Sequence, residues 1–296
     1  FFLFIIIRLT AYNQSLSQEL KKFLLSKNVI AQLGAFVAAS AIMTAGIYYY
    51  NYYQSLQRVR EQVQAIAATG ALQFHADELS QIHQSEDISR PEYAEVIRKL
   101  NEIRNQNDDV QYMYILRPTN KENYFTFVAD ADSLVPENIT DANDDGILDE
   151  ADQNAAPGKE YDASEITAMW DGLQNPTSSE SPFTDQWGTF ISGFAPIRDH
   201  NGNAVAIIGV DRWADSVKKL ANNTFAPVLT FFALLFVFIF IRLVAFNPSL
   251  PRELIKFMSS RKAIIPLLIF VILSIAVTYG LYRHNIYLNT QRVREH

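Results

Sequence analysis

The chain has 296 residues, with 32 acidic and 25 basic side chains for a formal net charge of −7, and 49% of its residues are hydrophobic. It has no cysteine, which excludes disulfides and thiolate metal sites. The charge is segregated: Asn51 to Asn222 holds 29 acidic and 13 basic residues, a net of −16, and the rest holds 3 and 12, a net of +9. An acidic middle between basic flanks points to two compartments and away from a nucleic-acid partner.

Residues 1–8 open with an apolar run up to Arg8, read as the end of a transmembrane helix. Residues 9–28 form a short loop carrying Lys21, Lys22 and Lys27. Residues 29–50 have no charge and are about long enough to span a bilayer. Their end is aromatic, and Tyr48, Tyr49, Tyr50, Tyr52 and Tyr53 suit an interfacial belt. Two more uncharged runs follow at 223–241 and 263–282. Between them, at 242–262, lie Arg242, Arg252, Lys256, Arg261 and Lys262. The positive-inside rule places both basic loops in the cytoplasm and the acidic segment 51–222 outside. The expected location is a bacterial inner membrane crossed several times, with the acidic domain periplasmic or extracellular.

The flanks repeat. Residues 7–61 match residues 241–295 without a gap at 27 of 55 positions. The match includes Arg8/Arg242, Asn13/Asn247, Gly46/Gly280 and the motif "QRVRE" at Gln57–Glu61 and Gln291–Glu295, more than shared apolar bias would reproduce. Residues 283–296 then read as the start of a second outer domain, and the expectation is a piece of a longer tandem protein.

Within the outer domain, Gln54 to about Ile82 predicts a helix. Val59, Val63, Ile66, Ala67, Leu72, Phe74 and Leu79 share its apolar stripe. It continues from the preceding span, so motion in one can reach the other. Ser89 as N-cap and Pro91 in the first turn open a second helix, with Tyr93, Val96, Ile97, Leu100 and Ile103 on its apolar face. "VQYMYILRP", "NYFTFVADAD", "GTFISGFAPIRD" and "NAVAIIGVDRW" then read as strands, the last two joined by the turn "HNGN". Two helices followed by a strand-rich sheet give an α+β domain.

"DANDDGILDEAD" packs six carboxylates into twelve residues, Asp141 to Asp152. It fits a calcium loop of EF-hand form. Asp141, Asn143 and Asp145 take positions 1, 3 and 5, and Gly146 takes the sharp turn. Ile147 offers its carbonyl at position 7, Asp149 fills position 9 and Asp152 position 12. Hard oxygen ligands at these spacings favour Ca²⁺. Position 12 departs from the common bidentate Glu, which weakens affinity or calcium preference. No helix is signalled before the loop. The competing reading is a solvated acidic turn.

The words "YMYILRP", "FVADAD" and "DQWGTFISGFAPIRDHNGNAVAIIGVD" resemble the Cache family of extracytoplasmic sensor domains over about Leu56 to Asp215. The resemblance implies a PAS-like antiparallel sheet with a long N-terminal helix, flanked by transmembrane helices. It also implies a small polar organic ligand held over the sheet, and Tyr112, Tyr114, Arg117 and Asp211 are the site residues it suggests. Aromatics would give apolar walls, Arg117 would hold a carboxylate and Asp211 would pair with an amine. Each has a plainer reading, because strand Tyr residues pair across strands and an Asp at a strand end caps the next turn or helix. Trp170 and Trp187 either wall the pocket or pack the core. The expected partners are that ligand, the lipid bilayer and a second copy in a homodimer. The expected output is a histidine kinase or diguanylate cyclase, whose motifs do not occur in this sequence. No P-loop, nucleophile elbow or dinucleotide loop is present either. A membrane-anchored, calcium-stabilised adhesion module is the alternative, and it leaves the PAS-like pattern unexplained.

Overall fold

The computed structural model describes residue 18 and residues 21–133, 155–222 and 225–245. Contacts divide the chain into two compact units, one of residues 52–219 and one of residues 1–51 with 220–296.

Unit 52–219 is an α+β domain, as the residue pattern predicts. Helix α1 spans Lys27–Ala71, and its last five turns belong to this domain. Short helix α2 (Ala76–Leu79) and a 3₁₀ segment (Ser85–Ser89) lead to helix α3 (Pro91–Asn105). Strands β1 (Tyr112–Pro118), β2 (Tyr124–Asp130) and β3 (Glu160–Asp162) follow, then helix α4 (Thr167–Asp171). Strands β4 (Thr177–Ser178), β5 (Phe183–Asp185), β6 (Gly188–Arg198) and β7 (Ala204–Trp213) complete one sheet. The strand order is β3-β2-β1-β7-β6-β4, with β5 on β6, and each pairing is antiparallel. Helix α5 (Asp215–Asn222) leaves the end of β7.

Two apolar layers lie on opposite faces of the sheet. On one face, Leu56, Val59, Val63 and Ala67 of α1 and Val96, Ile97 and Leu100 of α3 pack on Met113, Ile115, Ile191, Ala195, Ile208 and Val210. The helical spacing of 3 and 4 and the strand alternation of 2 put these residues together. On the other face, Tyr114, Leu116, Phe125, Phe127, Phe194 and Ile207 are covered by the segment from Ala155 to Trp187.

Two sequence expectations shift by a few residues. Helix α1 ends at Ala71, so Leu72 leaves the stripe and is 81% exposed. Phe74 and Leu79 stay buried, but from the turn and from α2. Ser89 falls in the 3₁₀ segment, where its hydroxyl donates to the Glu86 carbonyl, and Arg90 takes the N-cap position before Pro91. The β6–β7 turn is held as its composition predicts, with the Asp199 carboxylate accepting the amides of Asn201 and Asn203 at 2.9 and 2.8 Å.

The other unit contains the first part of α1 and helix α6 (Phe225–Ala245). Among the described residues, two helices are long and apolar enough to cross a membrane. Large apolar side chains on them face outward, among them Ile42, Met43, Tyr49, Phe231 and Phe238. Buried core helices of a soluble protein would hide such residues, and a lipid environment would solvate them. Phe36 and Phe236 meet with ring centroids 5.7 Å apart. The run at 263–282, the second copy of the repeat beyond Ala245 and the loop 141–152 lie outside the described residues.

Candidate functional site

Strand parity decides which expected site residues meet. Tyr112 and Tyr114 point to the face covered by residues 155–187, and Met113 and Ile115 point to the helices. Tyr112 pairs with Asp211 across β1 and β7, and Asp211 pairs with Ser192 across β7 and β6. Tyr112, Asp211 and Ser192 therefore form one cross-strand row on the covered face. The next row is Tyr114, Gly209 and Phe194.

Gly209 explains the geometry of Tyr114. A Cβ at Gly209 would lie 2.3 Å from the Tyr114 ring. Without one, the ring lies across the strand and its hydroxyl donates to Asp211 Oδ1 at 3.1 Å.

Arg117 is separated from this group. It belongs to the odd-numbered residues of β1, which face the helices. Its guanidinium donates to the carbonyls of Leu79 at 2.6 Å and Ile82 at 3.1 Å and meets His83 Nδ1 at 2.9 Å. It pins the chain just after α2. Burial lowers its pKa, as expected for a cation taken out of water.

The structure adds two residues that sequence pattern does not single out, Asp185 and Tyr161, and sets Trp187 beside them. Asp185 and Tyr161 join at 2.9 Å, with the Tyr161 hydroxyl donating to Asp185 Oδ2. Trp187 stacks on Tyr161, centroids 6.0 Å apart at 15°. Phe127 touches Tyr114, Tyr161 and Trp187. At the other end of the row, Tyr112 meets Phe190 and Trp213 edge to face. A register shift between Ile115 and Leu116 changes the parity of β2, so that Asp130 pairs with Tyr114 at the end of the strand. The Asp130 carboxylate accepts the amides of Asp132 at 3.0 Å and Ala155 at 3.3 Å.

The electrostatics are one-sided. Burial pushes the Asp211 carboxyl up to about 8. The carboxylates of Asp185 and Asp130 push it the same way, and Ser192 and Tyr114 pull it down. Both do so through side-chain hydrogen bonds to the carboxylate. Asp130 is raised to about 6, and Asp185 is raised too, each chiefly by burial. Tyr114 and Tyr161 are raised, first by burial and then by these acids. A buried carboxylate with donors and no cation is costly unless it is protonated or meets a positive charge.

The residues that follow Ser192 and Asp211 turn to the opposite face and meet α1. A Cβ at Gly193 would lie 2.3 Å from the Val63 carbonyl, so strand and helix backbones touch there. Arg212 donates to Gln62 Oε1 at 2.6 Å and pairs with Asp109 at 2.7 Å. Two adjacent strands thus carry a covered-face polar group and an α1 contact at consecutive positions.

The site is a buried acidic and aromatic cluster over an antiparallel sheet whose reverse face carries a long helix. Among solved structures, the chain is similar to the ligand-binding domain of the Campylobacter jejuni chemoreceptor Tlp3 in complex with L-valine. That match has 12% identity and a TM-score of 0.39, over 67% of this chain and 68% of that one. It is also similar to the Tlp3 sensory domain with isoleucine bound, at 11% identity and a TM-score of 0.38, over 67% of each chain. A third is the ligand-binding domain of the Pseudomonas aeruginosa PAO1 amino acid chemoreceptor PctC in complex with GABA. There the identity is 14% and the TM-score 0.33, over 62% of this chain and 68% of that one. No family model and no curated protein matches the sequence. At these scores, the roles of the site residues rest on their own geometry.

Proposed function

We propose that residues 52–219 form a sensor domain for a small polar organic ligand, bound over the sheet face that carries Tyr112, Tyr114 and Asp211. Asp211 is the anchor and meets an amine of the ligand, while the tyrosines and Trp187 form the walls. Arg117 has no part in this site. The observation that carries the reading is the alternation along β6 and β7. Ser192 and Asp211 face the site, and Gly193 and Arg212, next in each strand, hold α1 at Val63 and Gln62. A ligand that pulls on Asp211 therefore acts on a strand fastened to α1. It biases signalling only if it binds two arrangements of strand and helix unequally.

In this reading, α1 and α6 cross a membrane, the acidic domain lies outside, and the signal passes to a cytoplasmic output module of the histidine kinase or diguanylate cyclase kind. Their length, composition and outward-facing apolar side chains support the crossing. Ca²⁺ in the loop 141–152 is part of the same proposal, supported by the ligand spacing in the sequence.

A thermal-shift screen of small metabolites on the detergent-solubilised chain tests the site. At least one amine-bearing compound should raise the melting temperature, and Asp211→Asn should remove the shift. A ligand whose effect survives both Asp211→Asn and Tyr114→Phe would show that binding lies elsewhere.

A further inference from the structure

Resting on the site of this sensor reading, we infer that Tyr161, Asp185 and Trp187 are a latch. They hold the two edges of the sheet together over the row of Tyr112, Asp211 and Ser192, and a ligand reaches that row only when they part. The row is shut off in this structure. Asp211 is 4% exposed and Ser192 is fully buried, so no organic molecule meets either without a movement of the cover.

The strand order shows which movement. Tyr161 lies on β3, the edge strand beyond β2, and Asp185 lies on β5, which pairs with β6. Four strands, β2, β1, β7 and β6, separate them. Neighbouring strands stand about 4.8 Å apart, so a flat sheet would keep β3 and β5 about 24 Å from each other. Yet the Tyr161 hydroxyl donates to Asp185 Oδ2 at 2.9 Å. The two edges therefore curl toward one another over the covered face and meet there.

The meeting point is slight. Asp185 Oδ2 takes Tyr161, and Oδ1 takes the Trp187 amide at 2.9 Å, which holds the β5–β6 turn in shape. The Trp187 ring then stacks on Tyr161 and meets Phe127 edge to face. Behind it stands a strand of three residues paired with β6. The rest of the cover is fixed more firmly. Phe127 accepts the Gly158 amide at 2.8 Å and donates to the Lys159 carbonyl at 2.9 Å. A Cβ at Gly172 would lie 2.7 Å from Phe194 Cβ, so the chain after α4 sits tight on β6. Trp170 packs on Phe125 with centroids 4.4 Å apart. Opening at the latch breaks the Tyr161–Asp185 hydrogen bond and the Tyr161–Trp187 stack and leaves the helix-side layer untouched. Lids over binding sites open by such local steps, well short of unfolding.

Because the chain has no cysteine, a single introduced thiol reports on this face. In the full chain in lipid nanodiscs, the thiol of Ser192→Cys should react with iodoacetamide at a rate set by the fraction of time the latch is open. Tyr161→Phe removes the hydroxyl and keeps the ring. It should raise that rate about three- to tenfold, the worth of one net hydrogen bond. Trp187→Leu should raise it at least as much. Asp211→Cys, on the same row, is a second reporter and should respond alike. Ile191→Cys, the fully buried neighbour on the helix face, is the control and should keep its own rate. Circular dichroism melts establish that each variant is folded before labelling. An equal rise on both faces would mean general loosening and would overturn the latch. So would an unchanged rate at Ser192→Cys and Asp211→Cys, or thiols there that react in the parent as fast as in the unfolded chain. The labelling uses no ligand, so a failed metabolite screen strikes the sensor reading alone, and failed labelling strikes the latch alone.

Discussion

Asp211 is where pH should act on the folded domain. Its carboxyl has an ordinary value of 3.8 and is raised to about 8 in the fold. Between those values the folded state keeps a proton that the unfolded state has lost. The stability tied to this group is therefore complete below pH 3.8 and falls as pH rises through 8, by at most about 1.4 kcal/mol per unit. Asp130 and Asp185, raised on the same face, steepen the lower part of that slope. Asp211→Asn should raise the melting temperature at pH 8 and change it little at pH 4. Melts of the solubilised chain between those limits check this, and a variant less stable than the parent at pH 8 would contradict it. At this scale the sequence is partly legible. Strand pattern and family resemblance mark Tyr112, Tyr114 and Asp211, and the structure puts them together. The parity of β1 already sets Arg117 apart from Tyr112 and Tyr114, because a strand alternates faces with a period of two. Asp185 and Tyr161 come from strands of three residues, too short to carry a period. Ser192 lies inside the strand "GTFISGFAPIRD", but only pairing with β7 shows what it faces.

The contact between β6 and α1 is the element most exposed to substitution. Gly193→Ala would place a Cβ against the Val63 backbone, which cannot rotate away as a side chain does. The expected loss is about 1–3 kcal/mol, the range for overpacking a filled core. Hydrogen exchange should then rise in α1 from Leu56 to Ala71 before it rises in β1 and β7. Uniform exchange across the domain would mean that the contact is no more critical than the rest of the core. Strands β1, β2, β6 and β7 and both long helices are readable because each has enough residues to show its period, and β3, β4 and β5, of two or three residues, are not. The end of α1 is not, since Leu72 continues the apolar stripe by sequence while the chain turns. The β1–β2 register shift is equally silent, because a bulge leaves no mark in composition. Yet it sets which side of β2 Asp130 takes.

At the scale of the whole molecule, the charge split predicts where each segment lies. A chain without cysteine is a clean background for labelling. Single cysteines at Gln153 and Ser249 should react with a membrane-impermeant maleimide from opposite sides. Reaction from one side at both positions would reject the proposed topology. Millimolar Ca²⁺ should raise the melting temperature and EDTA should lower it, by mass action on the folded state. Asp141→Ala with Asp145→Ala should remove both responses, and indifference of the parent chain would exclude a calcium role. This proposal rests on ligand spacing, the kind of signal a sequence carries best.

The cover over the sheet has one further consequence, felt before any ligand arrives. From Ala155 to Gly188 it sets six carboxylates against Lys159. Such a surface concentrates cations around itself and thins out anions, so encounter rates depend on the sign of the approaching molecule. The reach of that field is about 8 Å at physiological ionic strength and about 30 Å at 0.01 M salt. On the proposed sensor reading, a positively charged ligand would then be captured faster in fresh water than in brine, at the same concentration and with the same contacts. Its detection threshold would drift with the salinity of the surroundings.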